Sequence, residues 1–253
     1  ESLGRLACWT DQYAPGVKAA RVSAEPYHDA GATGALELAC VLATSVAYLR
    51  AMVQEGLSVD AAAQQIELSL TLGARFFFDV AKLRAARRLW ARAQQAVGIK
   101  TPQVSLHGVS STRMMTRRDP WVSMLRGTAA CFAGSAGGAQ SIRIAAFDSV
   151  HQIPGTLGRR VARNTQVILQ EESQLGRVMD PAGGSWFIEN LTDQLARAAW
   201  AEFQAIEAEG GMAAVLEAGW LGQRLEAGWV QRCNDLAKRK ISITGVNEFP
   251  NLA

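Results

Sequence analysis

Apolar and polar positions along this chain follow two alternating periodicities. In long segments the apolar residues recur at three- and four-residue steps, which is typical of helices with one buried face. The segment from Thr33 to Val53 shows this spacing clearly, and Gly56 follows it at a position where helices commonly end. The same spacing predicts further helices over 3–13, 60–70, 78–97, 120–132, 159–176 and 191–206.

Shorter segments rich in β-branched and aromatic residues separate the predicted helices. The clearest of these strands are 21–27, 104–107 and 141–147, and we count four in all. A regular alternation of strand and helix with few hairpin signals is typical of parallel βαβ units, in which helices cover the sheet. Four strands would complete a doubly wound sheet, whereas a (β/α)8 barrel has eight strands and about 250 residues. Periodicity alone leaves both architectures open.

Composition and charge exclude several classes of partner. The chain has 253 residues, 49% of them hydrophobic, which is enough for one sizeable core. It starts at Glu1 rather than Met, as a piece of a longer chain could. The 26 basic and 23 acidic residues give a net charge of +3 without a basic block, so we expect no nucleic-acid partner. No apolar run approaches the roughly 20 residues of a membrane span, and no signal sequence is visible, so we expect a cytoplasmic protein with no membrane partner.

The four cysteines give no sign of a metal site. They lie far apart, without the Cys-x-x-Cys spacing of zinc sites, and their distribution is not that of a disulfide scaffold. We therefore expect buried thiols and no bound metal. The cysteines are Cys8, Cys40, Cys131 and Cys233.

A series of motifs in a fixed order carries a family resemblance. It begins with Tyr27-His28 and continues with AKLRAARRLWA, then His107, then GGAQS and finally RVARNTQVILQEESQLGRVMDPAGGS. In sequence and order these motifs resemble the adenosylcobalamin-dependent methylmalonyl-CoA mutases over nearly the whole chain. The resemblance implies an α/β fold, namely the second half of a (β/α)8 TIM-type barrel with about four βα units. It assigns 1–240 to the half-barrel and 241–253 to an exit linker leading toward a cobalamin domain outside this chain.

The family includes heterodimers in which the two subunits are similar but only one is catalytic. The segment TRRDPW, the preceding Met114-Met115 and the final GVNEFPNL resemble the small, or β, subunit. The matched positions that bind coenzyme A (CoA) in the catalytic subunit also differ here. Gln65 and Glu67 occupy the positions of an arginine and a serine that hold the CoA phosphates in the family. Loss of the cation removes a charge-assisted contact, so we expect weak CoA binding or none.

The resemblance assigns possible roles to four polar residues. His28 matches the family's acid that steers the migrating carbonyl, and His107, Gln140 and Ser141 match substrate contacts. For both histidines the alternative is a hydrogen-bonded interior side chain without a chemical role. Beyond His107, Val109 replaces a glutamine of the family pattern, and Thr112 replaces a glycine that lets the backbone approach the corrin.

Together the matches and departures predict part of the small, non-catalytic subunit of a methylmalonyl-CoA mutase, an isomerase that interconverts methylmalonyl-CoA and succinyl-CoA. The resemblance implies that a catalytic large subunit binds both adenosylcobalamin and the CoA thioester, with no cofactor on this chain. Two alternatives remain open at this point. The chain could belong to a catalytic mutase for another CoA thioester, or it could be a module that stabilises a mutase without forming a fixed complex.

Overall fold

The computed structural model describes residues 2–150 and 153–250. Helices and parallel strands alternate through the first two thirds of this part, and helices alone follow. The strands are β1 (Ala20–Ser23), β2 (Ile66–Leu72), β3 (Ser105–Ser110) and β4 (Ser141–Arg143). The helices are α1 (Ser2–Tyr13), α2 (Glu25–Ala30), α3 (Gly34–Gln54), α4 (Val59–Gln64), α5 (Phe76–Ala96), α6 (Pro120–Ala136), α7 (Thr156–Val167), α8 (Trp186–Ala208), α9 (Met212–Glu217) and α10 (Trp220–Ala237).

The four strands form one parallel sheet in the order β1-β2-β3-β4. Strand order therefore follows chain order, as it does around a barrel, and lacks the reversal that defines a doubly wound sheet. One face of the sheet, which carries Leu68, Leu70 and Leu106, is buried, and the sheet packs against α3 and α6. On the opposite face Ser141 and Arg143 are exposed, and we call this the inner face. The α/β prediction is confirmed, and the sheet agrees with a partial TIM-type barrel.

Helix α3 is the central helix of the core. It begins after Thr33, whose hydroxyl accepts a hydrogen bond from the backbone N–H of Leu36 at 3.3 Å. The helix packs against α1, α8 and the first two strands. In length and composition it could span a membrane, but 67% of its most apolar stretch of 18 residues is buried within the protein. The expectation that no apolar run approaches that length was therefore wrong for Gly34–Gln54, although burial in the core explains its composition.

The basic residues of α5 are only partly exposed to solvent. Lys82 is only 3% exposed, and α5 packs closely against α8. Arg84 pairs with Asp180 at 3.0 Å and with Glu189 at 2.6 Å. These contacts tie the α5 surface to α8 and to the loop before it. Lys82 and Arg84 thus contribute to packing between elements, whereas Arg88 and Arg92 are exposed.

Four predicted element boundaries were wrong, and the simplest case is the strand predicted over 141–147, which ends at Arg143. The segment predicted as a helix over 60–70 contains α4, which ends at Gln64, and then β2. The alternation of Ile66, Leu68 and Leu70 with small polar residues is the two-residue period of a strand, which the alanine-rich stretch before it concealed. The first strand ends at Ser23 and α2 begins at Glu25. The Ser23 hydroxyl accepts a hydrogen bond from the backbone N–H of Glu25 at 3.2 Å, which turns the chain at this point. The predicted helix over 159–176 is α7 followed by a π turn and a 3-10 turn.

Candidate functional site

Two separate regions contain the residues singled out from the sequence. His107, Gln140 and Ser141 lie on or beside β3 and β4, whereas His28 lies in α2, beyond the carboxyl end of β1. Strand register brings His107 directly opposite Ser141. The inner face therefore brings His107 and Ser141 together. Gln140 lies just before β4, and His28 belongs to a different cluster.

His107 and Ser141 form one hydrogen-bonded pair on the inner face. The Nδ1 atom of His107 lies 2.7 Å from the Ser141 hydroxyl oxygen. His107 is buried, and this burial, together with the positive charges of Arg21 and Arg143, lowers the pKa of its imidazole. A neutral imidazole is favoured at neutral pH.

The side chain of Gln140 is bound to the backbone of the neighbouring strand. Its Oε1 accepts from the backbone N–H of Leu106 at 2.7 Å, and its Nε2 donates to the carbonyl of Val104 at 3.2 Å. The backbone N–H of Gln140 also donates to the Leu106 carbonyl at 2.9 Å. These contacts extend the pairing of β3 beyond the start of β4. The carboxamide thus has a structural use in this chain, and its substrate contact stays a prediction.

At the amino end of the sheet, Gln65 and Glu67 also bond within the chain. Gln65 is 4% exposed, and its Oε1 accepts from the backbone N–H of Ala19 at 3.0 Å. Glu67 pairs with Arg21 at 2.6 Å and accepts from the hydroxyl of Ser105 at 3.2 Å. The Glu67 charge is therefore paired with that of Arg21.

His28 is part of an extended hydrogen-bond network at the carboxyl ends of the strands. Its Nδ1 lies 3.1 Å from both Glu37 Oε2 and the hydroxyl of Thr71. Its Nε2 lies 2.7 Å from the hydroxyl of Ser111. The sequence gives no indication of these partners, because they lie on three other elements. The interior, hydrogen-bonded environment is compatible with either role considered for this histidine.

A buried ion cluster of Glu37, Lys82 and Asp79 lies beside His28. The three side chains are at most 4% exposed, and the Lys82 Nζ atom lies 3.3 Å from Glu37 and 3.4 Å from Asp79. Glu37 also accepts from the backbone N–H and the hydroxyl of Thr71, at 3.1 and 2.7 Å. Asp79 accepts from the backbone N–H of Gly73 at 2.8 Å. Each buried charge is thus paired and hydrogen-bonded, as a low-dielectric interior requires.

Opposing effects set the protonation of this ion cluster. Burial alone would raise the pKa of Glu37, but Lys82 and His28 lower it to about 2. Burial would lower the pKa of Lys82, yet Glu37 and Asp79 raise it. The pKa of Asp79 is raised by burial, which outweighs its contact with Lys82. The Glu37–Lys82 pair is therefore ionised at neutral pH.

A cavity of about 560 Å³ opens next to the ion cluster, at the carboxyl ends of the strands. Helix α10 and the segment 241–243 form its far wall. Sequence reasoning missed Glu37, Asp79 and this cavity. The available signal was a glutamate within the otherwise apolar face of α3. A charged residue at such a position predicts a buried partner elsewhere in the chain.

Comparison with known proteins identifies the family. Residues 2–253 match the model of a protein family described as Methylmalonyl-CoA mutase. The chain belongs to the methylmalonyl-CoA mutase family. This confirms the resemblance based on the ordered motifs.

Individual relatives in this mutase family refine the comparison. The methylmalonyl-CoA mutase small subunit of Streptomyces virginiae is 48% identical over 252 residues, which is 99% of this chain and 41% of that protein. The small subunit of Propionibacterium freudenreichii subsp. shermanii is 40% identical, over 94% of this chain and 38% of that protein. The large subunit of Streptomyces virginiae is 36% identical, over 98% of this chain and 34% of that protein. The chain spans about two fifths of the length of the small subunits that it matches.

Proposed function

We propose that this chain is part of the small, non-catalytic subunit of an adenosylcobalamin-dependent methylmalonyl-CoA mutase, which interconverts methylmalonyl-CoA and succinyl-CoA. The identity of 48% to a protein named small subunit, against 36% to one named large subunit from the same organism, supports the assignment. A catalytic mutase acting on another CoA thioester is less favoured by this difference.

The non-catalytic part of the proposal rests mainly on Gln65. The position matched to the phosphate-binding arginine of the family has a neutral side chain, 4% exposed and bonded to the backbone of Ala19. Such a side chain offers no cation to a phosphate and could turn outward only by giving up a buried hydrogen bond. His107, Gln140 and Ser141 are likewise bonded within the chain, so their match to substrate contacts is proposed as positional only.

The residues matched to the corrin-facing part of the family pattern do not fit the cofactor. Thr112 donates a hydrogen bond to Asp29 at 2.6 Å, which joins the turn after β3 to α2. The adjacent Arg113 brings a positive charge to the same turn. We therefore assign adenosylcobalamin and the CoA thioester to the catalytic large subunit. His28 is then a vestige of the family acid, and this chain supplies stability and a docking surface.

CoA titration of the natural complex tests this assignment. We expect CoA to bind in the barrel of the large subunit and not along β3 and β4 of this chain. Hydrogen exchange measured with and without CoA should show no added protection of 105–110 or 141–143 in this chain, while matching segments of the large subunit serve as the internal control. Added protection of these strands in this chain would contradict the proposal, whereas CoA bound elsewhere on this chain would not.

The form of the partnership is tested by its stoichiometry. A fixed heterodimer elutes from size exclusion as one species with equal amounts of the two subunits. A transient stabilising module would separate from the mutase on dilution.

We also propose that the chain divides into a half-barrel over 1–240 and a linker over 241–253. A cytoplasmic location and the absence of membrane and nucleic-acid partners belong to the same proposal.

A further inference from the structure

The cavity at the carboxyl ends of the strands carries an excess of positive charge. Five basic side chains and three carboxylates line it, which leaves two positive charges in excess when His28 is neutral. Lys82 is paired with both Glu37 and Asp79, so these three groups contribute no positive charge in excess. The third carboxylate, Asp235, lies 3.8 Å from Lys240 outside the cavity lining. The excess therefore resides on the remaining arginines, Arg75, Arg113, Arg126 and Arg232.

These four arginines come from different parts of the chain and meet around one space. Within 2–150 and 153–250, none of them forms an ion pair with a carboxylate. Arg126 donates to the carbonyls of Met114 and Thr244, so it is held by the backbone. Arg232 donates to the carbonyl of Arg113 at 3.4 Å. Carbonyl oxygens orient these guanidinium groups but do not neutralise them.

Arg113 in particular retains unused hydrogen-bond donors. Its Nη1 donates to the carbonyl of Ala32 at 3.3 Å. Its Nε and Nη2 atoms are buried and have no hydrogen-bond partner among the described residues. Leaving buried donors of a charged group unpaired is unfavourable. If the Arg113 guanidinium turned towards the cavity, an anion could accept from both donors and remove this cost. Nε and one Nη form the edge of a guanidinium that binds a phosphate or carboxylate in a bidentate manner.

The arginines of the cavity also affect one another electrostatically. Burial lowers the pKa of Arg113, and Arg232 lowers it further, while Glu37 and Asp29 act in the opposite direction. Burial also lowers the pKa of Arg232, with Arg75 lowering it further and Cys233 opposing. All three guanidinium groups stay protonated, because the pKa of arginine in water is far above neutral. A bound anion would relieve their mutual repulsion.

The shape and lining of the cavity favour an organic anion over a simple ion. Its volume of about 560 Å³ lies within the range of small-molecule sites. Its walls include Phe78, Met114 and Ile243, which are apolar surfaces for the uncharged part of a ligand. The Arg75 guanidinium lies 4.2 Å from the Phe78 ring centroid, at the edge of this apolar region. Charged and apolar surfaces are thus adjacent.

We propose that this cavity binds a small phosphate-bearing organic molecule, with the Arg113 edge on the phosphate and Arg75 and Arg232 as additional cations. The site lies at the opposite end of the sheet from Gln65, and it is independent of whether the chain is catalytic.

Arginine footprinting of the full-length natural protein tests this proposal. Phenylglyoxal modifies exposed arginines, and mass spectrometry reports the rate at each position. We expect adenosine diphosphate, and more weakly inorganic phosphate, to slow modification of Arg75. Arg92, which is exposed on α5 outside the cavity, is the internal control and should be unaffected. Uncharged adenosine should protect neither residue.

Substitutions on this chain locate the binding. Arg113→Gln should raise the adenosine diphosphate concentration needed for protection of Arg75 by about tenfold or more, the loss expected for a charge-assisted pair. Because Arg113 is partly buried, Arg232→Gln provides a second variant, and Arg92→Gln is the matched control. The proposal is overturned if neither adenosine diphosphate nor phosphate protects Arg75 at concentrations up to about 10 mM. This result is expected if a protein segment fills the cavity. The proposal is also overturned if protection persists unchanged in both cavity variants, or if adenosine protects equally well.

Discussion

Replacing Lys82 with methionine isolates the contribution of the buried ion cluster to stability. Methionine keeps the length and apolar stem of the side chain but removes the cation that Glu37 and Asp79 share. Glu37 would keep its contacts with His28 and Thr71, and Asp79 would keep its bond from Gly73. The substitution therefore leaves two buried carboxylates with hydrogen bonds but without a neutralising lysine.

The expected cost follows from the burial of these groups. Removing one partner of a buried ion pair typically costs about 3–5 kcal/mol, because the other charge stays desolvated. The pKa of Glu37 gives a comparable figure: lowering from its ordinary 4.5 to about 2 corresponds to about 3 kcal/mol of stabilisation of the ionised form. Since typical domains unfold with about 5–15 kcal/mol, we expect a large fall in the urea midpoint of Lys82→Met.

The sign of the pH dependence makes the prediction specific. The pKa of Glu37 is lowered in the folded state, so its stabilisation is present above about 4.5 and is lost as the pH falls towards 2. Asp79 has a raised pKa and opposes this trend, although it too loses the cation in the variant. The difference between the natural protein and Lys82→Met should therefore be largest above about pH 5 and should shrink as the carboxyls become protonated.

Urea unfolding followed by tryptophan fluorescence at several pH values measures this difference. Arg92→Met is the matched control, since Arg92 is exposed on the same helix, and its effect should stay within about 0.5 kcal/mol. Adding Glu37→Gln to Lys82→Met should recover part of the loss, because the unpaired charge is removed. A loss below about 1 kcal/mol for Lys82→Met, or a loss that does not change with pH, would refute the reasoning.

Two further substitutions test the packing of the helices. Gly31 has φ +128°, and a Cβ added there would lie 2.0 Å from the carbonyl oxygen of Leu225. Gly31→Ala should therefore lower the melting temperature. The decrease should be clearly larger than for the control Gly56→Ala, where φ is +105° but the space is open. Equal shifts would contradict the close approach of α2 and α10. The Arg84 side chain is 16% exposed and that of Arg88 is 62% exposed. Arg84→Met should therefore lower the free energy of unfolding by about 1–3 kcal/mol, and Arg88→Met by less than about 1 kcal/mol. Urea midpoints measure both changes. The reverse order would show that α5 does not rely on its contacts with the loop before α8.

Local periodicity predicted the elements whose burial pattern is regular. The apolar steps of α3 and α8 define one face each, and the ordered motifs were enough for the family. Periodicity failed for β2, because its alternation is only seven residues long and directly follows the helix that ends at Gln64. The sequence also could not choose between a barrel and a doubly wound sheet, since that choice depends on the order in which strands pair.

The amino-acid sequence by itself therefore determined the α/β class, the principal helices and the family, because these depend on local periodicity and on ordered motifs. Only the tertiary structure decided that Glu37 and Lys82, 45 positions apart, share a buried ion pair. It also decided that the Gln65 side chain accepts a hydrogen bond from the backbone of Ala19, and that four arginines from separate segments surround one cavity. The physical reason is that charge pairing and cavity shape depend on distances between elements, which parallel strand pairing fixes and which no local pattern records.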